Sequence, residues 1–309
     1  MTRDSATVNP VGSVLVAGCG YLGERVARLW FDEGAEVHAL TRSAARAAEF
    51  ERRGWRSVTG DVAGENATGD AFPHGLPPVE TLFWGIGLDR RSGKSQREVY
   101  VDGLARLLAA LPARPRHVIH ISSTSVYGQA AGEVVDEDSP CEPVQDNGRV
   151  CLDAERTVLA YANDETRVDT LRLAGIYGPD RLIGRVEALR ARQPLSVNPD
   201  GWLNLTHVDD AARVVVELSR RVREGTAPAR RVWLVSDDRP LPRREFYATI
   251  ARLVDAPEPI FDTSSLDERE RTGLNKRCSS RRVHDELGLE WLYPTVEQGL
   301  RQAIDSARD

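Results

Sequence analysis

Gly18, Gly20 and Gly23 stand at the spacing Gly-x-Gly-x-x-Gly. They follow an apolar run over residues 11–17 and precede a stretch with Leu22, Val26, Leu29 and Trp30 at helical intervals. The context of strand, glycine turn and helix gives the spacing its chemical meaning. The first glycine permits a tight turn, the second lets backbone approach a ligand, and the third lets the helix pack closely on the strand. The helix start offers unpaired N–H groups and the positive end of the helix dipole, which suits a pyrophosphate. Gly18, Gly20, Tyr21, Leu22 and Gly23 are therefore the expected phosphate cradle of a dinucleotide. A glycine-rich turn without a ligand is the alternative.

The end of the second strand discriminates between dinucleotides. An Asp or Glu there would accept from a ribose 2′-hydroxyl and favour NAD. This chain has Thr41-Arg42-Ser43 instead. Arg42 can pair with a 2′-phosphate and Ser43 can donate to it, so NADP(H) is expected, with NAD(H) second. Arg42 as a solvated residue beside a helix cap is the competing reading. Asp61 and Val62 follow a short third strand, where the loop should run under the adenine. Asp61 would accept from the adenine amino group or cap a turn.

Other groups able to do chemistry are scattered. Tyr127 lies in the loop after the fifth strand, where its phenol could reach a substrate or pack as an aromatic. Arg149 could anchor a phosphate or carboxylate, or be a surface arginine. His207 could be a base, or a cap or core residue near a helix start. Asp209 and Asp210 read as helix N-terminal acids, and His120 as structural. Asp136, Glu137 and Asp138 read as a solvated loop segment. Arg243, Arg244, Arg277, Arg281 and Arg282 could hold a diphosphate.

These residues need elements to carry them. Strands are expected at 11–17, 36–40, 56–59, 79–84, 116–121, 168–173 and 231–235. Helices are expected at 21–33, 43–53 (with Ser43 as N-cap), 97–111, 150–161, 182–192, 208–223, 243–254 and 295–304. Alternation of this kind implies an α/β fold: a Rossmann-type, doubly wound parallel sheet. Prolines break the last part into short pieces, which predicts a smaller C-terminal substrate lobe. The expected division is a dinucleotide domain over 11–175, with 204–236 adding to the sheet, and a lobe over 176–203 and 237–309.

Composition narrows the function. With 309 residues and 41% hydrophobic content the chain can bury a large core. A net charge of −6 disfavours a nucleic-acid partner. Lys94 and Lys276 are the only lysines in an arginine-rich chain. Cys19, Cys141, Cys151 and Cys278 form no C-x-x-C pair, which argues against zinc or a disulfide framework and fits a reducing cytoplasm. Residues 1–10 are polar and do not read as a signal peptide. No apolar run approaches the roughly 18 residues of a membrane span. The expected partner is a small-molecule substrate, and the expected state a monomer or homodimer without metal.

The chain also contains Ile121-Ser-Ser-Thr-Ser-Val-Tyr-Gly128, Leu171-Arg-Leu-Ala-Gly-Ile-Tyr-Gly-Pro179 and Asn204-Leu-Thr-His-Val-Asp-Asp210. With the glycine turn, these motifs resemble the extended short-chain dehydrogenase/reductase superfamily of nucleotide-sugar epimerases and dehydratases, over nearly the whole chain. Together with Asn147-Gly148-Arg149-Val150, the set is most similar to the atypical YeeZ-like subgroup. The resemblance implies that Ser123 occupies the catalytic Ser/Thr position, that Trp84 and Gly85 line the cofactor, and that residues 173–177 border the nicotinamide. It also implies a lobe that often takes a nucleoside-diphosphate sugar.

One departure matters. The superfamily's Tyr-x-x-x-Lys pair aligns on Asn147 and Cys151, and no tyrosine in the chain has a lysine four residues on. Asn has no proton to exchange near neutrality, and Cys carries no positive charge to lower a phenol's pKa. The expected function is an NAD(P)-dependent oxidoreductase or epimerase/dehydratase-like enzyme acting on a polar small molecule, a nucleotide sugar among the candidates. Its proton relay would be non-standard, with Ser123, Tyr127, Asn147 and Arg149 as catalytic-region candidates. The alternatives are a redox-inactive NADP(H) sensor or regulatory protein, and a non-redox enzyme holding the cofactor as structure.

Overall fold

The computed structural model describes residues 12–64, 71–227, 230–264, 266 and 275–306. The reading of residues 1–10 lies outside them. The first half runs β1 (Ser13–Ala17), α1 (Gly23–Asp32), β2 (Glu36–Thr41), α2 (Ala44–Arg52), β3 (Arg56–Thr59), β4 (Thr81–Trp84), α3 (Gly103–Ala110) and β5 (His117–Ser123). It continues through β6 (Glu133–Val135), α4 (Asp146–Leu159), β7 (Arg167–Leu173), β8 (Gly175–Tyr177), α5 (Ile183–Arg190), β9 (Trp202–Leu203), β10 (Leu205–His207) and α6 (Val208–Arg223). The remainder is β11 (Arg230–Val235), β12 (Leu241–Pro242), α7 (Arg243–Leu253), β13 (Lys276–Cys278), α8 (Arg281–Leu287) and α9 (Val296–Asp305).

Seven strands form one sheet in the order β11-β7-β5-β4-β1-β2-β3. β1 pairs in parallel with β2 on one side and β4 on the other, the strand-order reversal of a doubly wound Rossmann fold. All four residues of β4 are buried, as the apolar run of a strand covered on both faces requires. Helix α1 buries Gly23, Val26, Ala27 and Trp30, a single stripe at spacings of three and four. Its Trp30 Nε1 donates to Ser219 Oγ at 2.9 Å. Among the described residues no helix is long and apolar enough to cross a membrane.

Short strands β6, β8, β9, β10, β12 and β13 and helix α8 were not expected, and two of the expected helices differ in form. The helix expected over 97–111 opens as a π-helical turn, Glu98–Asp102, before α3. A Cβ at Gly103, where the two meet, would stand 3.0 Å from Val62 Cγ2. The helix expected from residue 150 begins at Asp146, so Asn147 and Arg149 stand in its first turn.

The chain divides into two compact units. One comprises Met1–Ile121, Asp153–Thr170 and Val215–Arg231; the other comprises Ser122–Leu152, Leu171–Val214 and Val232–Asp309. The core of the first unit gathers Leu15, Leu82, Trp84, Leu104, Leu107 and Val158. At one end of its sheet the buried His117 Nε2 meets Asp169 Oδ2 at 2.8 Å. The second unit packs Phe246, Ile250 and Leu300 around Tyr177 and Leu205. Its short strand pairs join segments distant in sequence, such as β13 with β6 in parallel and β10 with β8 in parallel.

Candidate functional site

In the first unit, the three glycines occupy three different environments at the carboxyl end of β1. Gly18 has φ +98°, in the left-handed region, and a Cβ there would fall 2.4 Å from the Gly85 carbonyl carbon. Gly23 backs onto the Gly18 carbonyl oxygen, 2.2 Å from where its Cβ would be, so α1 packs against the turn without a side chain between. Gly20 is exposed, and a Cβ on it would meet nothing within 4 Å. Its face is the open one. Helix α1 starts here with Leu22 in the N-cap position and no side-chain cap, leaving the helix's positive end without an internal acceptor side chain.

An ion network fixes this loop to α2. Arg46 donates to the Cys19 carbonyl at 2.9 Å and pairs with Glu24 at 3.0 Å and Glu49 at 3.0 Å. Arg53 adds a second contact to Glu24 at 3.0 Å. Burial, then the nearby Glu24 carboxylate, push the Cys19 thiol up to about 12, so it stays a neutral packing residue. The Tyr21 ring lies under the Arg25 guanidinium, 4.5 Å from its centroid.

At the end of β2, Thr41 Oγ1 accepts from the Ser43 amide at 3.1 Å, and Ser43 Oγ accepts from the Arg46 amide at 3.3 Å, capping α2. Arg42 lies between two carboxylates, 3.2 Å from Asp89 Oδ2 and 3.8 Å from Asp61 Oδ2. Asp61 also accepts from the Ala63 amide at 3.1 Å, the turn-capping role weighed from the sequence. Val62 and the Trp84 side chain are buried in the core, so only their backbones remain to line a ligand. Gly85 donates to the Ala17 carbonyl at 2.8 Å and crowds Gly18.

In the second unit, Ser123 ends β5 and its Oγ accepts from the Ser125 amide at 3.1 Å, capping the single turn Thr124–Val126. Tyr127 follows, fully buried. Its hydroxyl accepts from the Arg172 guanidinium at 3.0 Å, and burial pushes its pKa up. The phenol is packed and not presented to a substrate, which corrects its reading as an accessible proton carrier. The first turn of α4 lies against the same turn: a Cβ at Gly148 would fall 2.3 Å from the Ser125 carbonyl oxygen. Cys151 is buried, with Ser125 Oγ 3.9 Å from its sulfur. Asn147 is exposed, and Arg149 is turned back on its own helix start, to Asp146 at 2.5 Å and the Val144 carbonyl at 3.1 Å. The four catalytic-region candidates therefore share one turn and one helix start, and only Ser123 and Asn147 keep exposed or half-buried polar groups without a local charge partner.

Other expected residues fall elsewhere in this unit. His207 is buried between Tyr177 and Tyr293, with Nε2 3.0 Å from Gln302 Oε1, which fits the cap-and-core reading. Asp210 accepts from the Leu292 and Tyr293 amides at 2.7 and 3.0 Å. Glu137 is not solvated: its carboxylate is buried and accepts from the Leu234 amide at 2.8 Å. Arg244, Arg281 and Arg282 pair with Asp200, Asp285 and Asp138, and Arg277 donates to the Gly132 carbonyl.

Asp237 carries no local sequence signal. It is 3% exposed, and its pKa is raised well above 3.8 by burial and then by Asp238, against a smaller lowering by the Arg239 backbone amide. A raised folded-state pKa means that stability is complete below the unfolded value and declines as pH rises through the folded one. Asp237→Asn removes that decline. Thermal unfolding should therefore show the variant melting at least about 2 °C above wild type at pH 8, with the gap closing near pH 4. A gap that is the same at both pH values would mean that Asp237 does not hold a proton in the fold.

Comparison with known proteins places these features. Residues 14–233 match the pattern of the NAD dependent epimerase/dehydratase family. Protein YeeZ of Escherichia coli K12 is 35% identical over 208 residues, covering 66% of this chain and 69% of that protein. The 2-alkyl-3-oxoalkanoate reductase of Stenotrophomonas maltophilia is 27% identical over 266 residues, covering 79% and 76%. The structure of a functionally unknown conserved protein from Silicibacter pomeroyi superposes with a TM-score of 0.74 at 26% identity, covering 97% and 100%.

Proposed function

The chain belongs to the NAD-dependent epimerase/dehydratase family, and from that premise we propose that it is an oxidoreductase that binds NADP(H) in preference to NAD(H) and acts on a polar carbonyl or alcohol compound. The observation that carries this reading is the open face of Gly20 at an uncapped helix start, beside the reversal between β1 and β4. The space beside Gly20, where a Cβ would meet nothing within 4 Å, supports seating a pyrophosphate there. Tyr21, Leu22 and Gly23 continue the cradle. Thr41, Arg42 and Ser43 edge the adenosine ribose, Asp61 and Val62 the adenine, and Trp84 and Gly85 the middle of the cofactor.

When bound, the nicotinamide supplies or accepts the hydride. The chain's part is to hold the substrate oxygen and move its proton, and Ser123 is the group proposed for that task. Its Oγ accepts one hydrogen bond from the Ser125 amide, which leaves the hydroxyl proton to be donated to a substrate oxygen. Asn147 would orient the substrate without exchanging a proton, and Arg149 would meet its charged groups. The reductase relative is named for a ketone-bearing substrate, which suits this division of labour. Nucleotide sugars remain in the same chemical class of polar, oxygen-rich substrates.

A sensor without turnover is favoured by one specific observation: the Tyr-x-x-x-Lys positions hold an exposed Asn147 and a buried Cys151, with Tyr127 packed away. One set of measurements separates the readings. NADPH and NADH affinities are measured by fluorescence titration, and turnover is followed at the reduced nicotinamide absorbance against ketones and sugar nucleotides. Ser123→Ala should abolish turnover and leave NADPH binding unchanged. Arg42→Ala should weaken NADPH about tenfold more than NADH, the loss of one charge-assisted contact. Binding without turnover in wild type selects the sensor. Equal losses for the two cofactors would remove the preference for NADP(H).

A further inference from the structure

Lys276 is 5% exposed and lies in β13, in the second unit. Its Nζ donates to the Tyr127 carbonyl at 3.3 Å; among the described residues this is its one hydrogen bond, and no carboxylate pairs with it. An ammonium has three donors, so two are unused. Burying an uncompensated cation is expensive, and burial lowers the pKa of this one. The strand that carries it is fixed on both sides. β13 pairs with β6 in the register Lys276↔Glu133. Asn204 clamps the strand on both sides of Arg277, donating to the Lys276 carbonyl at 2.8 Å and accepting from the Cys278 amide at 2.7 Å. The Cys278 side chain, on the same face of the strand as Lys276, is hydrogen-bonded to Thr124. β13 therefore runs along the turn that Ser123 opens, touching it at Thr124 and at Tyr127.

We propose that Lys276 is an anion-holding residue of the substrate site: its unused N–H groups take a carboxylate or phosphate oxygen of the substrate beside the Thr124–Tyr127 turn. The positive charge that position 151 lacks is thus delivered from a distant strand. This proposal rests on the enzymatic reading above and adds the class of substrate, an anionic one. A lysine serving only to cap the Tyr127 carbonyl would not respond to added anions.

Because the chain has two lysines, the test can be read at single-residue level in the full protein. Lysine carrying 13C and 15N is incorporated, and the two ε-methylene signals are assigned with Lys94→Arg. The protein is saturated with NADPH, so that the glycine turn is filled, and inorganic phosphate or acetate is titrated in. The Lys276 signal should shift and saturate while that of Lys94 stays still. A response to phosphate alone assigns a phosphate-bearing substrate, and a response to acetate alone a carboxylate. Lys276→Met should weaken the responding anion about tenfold or more, with Lys276→Arg restoring most of it and NADPH affinity unchanged. A Lys276 signal indifferent to both anions, or undiminished anion affinity in Lys276→Met, overturns the proposal. Failure of NADPH to bind would instead count against the enzymatic reading, and the titration without NADPH would still decide the role of Lys276.

Discussion

Replacing Gly20 with aspartate is expected to eliminate dinucleotide binding and leave the fold intact. A Cβ at this position meets no atom within 4 Å, and the backbone there is not left-handed. Near a helix start an acidic group is, if anything, mildly stabilising. The melting temperature should therefore stay within about 2 °C of wild type. The same carboxylate would occupy the space proposed for a pyrophosphate and repel it at close range. Repulsion between like charges near a protein surface costs a few kcal/mol at contact distance, so NADPH affinity should fall about a hundredfold or more. Titration calorimetry beside a thermal melt reads both quantities. Undiminished affinity in a folded Gly20→Asp protein would locate the cofactor somewhere other than this turn.

Gly18→Ala, two residues away, should do the opposite kind of damage. Its φ of +98° is one that an L-residue resists, and the added methyl would press on the Gly85 carbonyl and the Ile86 amide at 2.4–2.5 Å. Those neighbours are backbone atoms of the segment leaving β4, not the flexible end of a side chain, so the strain has no cheap escape. Strain and overpacking together should cost about 2–4 kcal/mol, lowering the melting temperature by roughly 5–15 °C. Urea unfolding should show a lower midpoint with an unchanged slope. A variant as stable as wild type would mean that the contact between the turn and Gly85 is loose in solution. Paired with Gly20→Asp, it separates a glycine kept for the ligand from one kept for the fold.

The parts legible in the sequence are those written locally. The strand 11–17, the glycine spacing and the Ser43 cap depend on near neighbours, and the structure forms all three close to the expected places. The start of α4 is not legible because Asn147 and Gly148 are poor helix formers, and the close approach to the Ser125 carbonyl that the glycine permits is a tertiary contact. β6 and β13 are three residues each and pair across more than 130 positions, so neither carries enough alternation to be seen alone. Glu137 looked solvated within a run of acids, and its burial depends on the Leu234 amide far along the chain. Lys276 is hidden for the same reason, since its distance in sequence from α4 says nothing of its distance from Tyr127. Its rarity in an arginine-rich chain was the one available signal. For the catalytic region, then, the residue types were readable and the directions of Tyr127 and Arg149 were not.

The strand order has a consequence for synthesis. β1, β2 and β3 are complete by Thr59, yet the other flank of β1 waits for β4, which begins at Thr81. A nascent chain paused between them displays Val14, Leu15 and Val16 along an open flank, the kind of template on which chains aggregate. From β4 onward growth proceeds in one direction, each arriving strand sealing its predecessor, with β11 last. Truncation after the third strand should thus be worse for solubility than truncation after the fifth, although the shorter fragment is the smaller hydrophobic load.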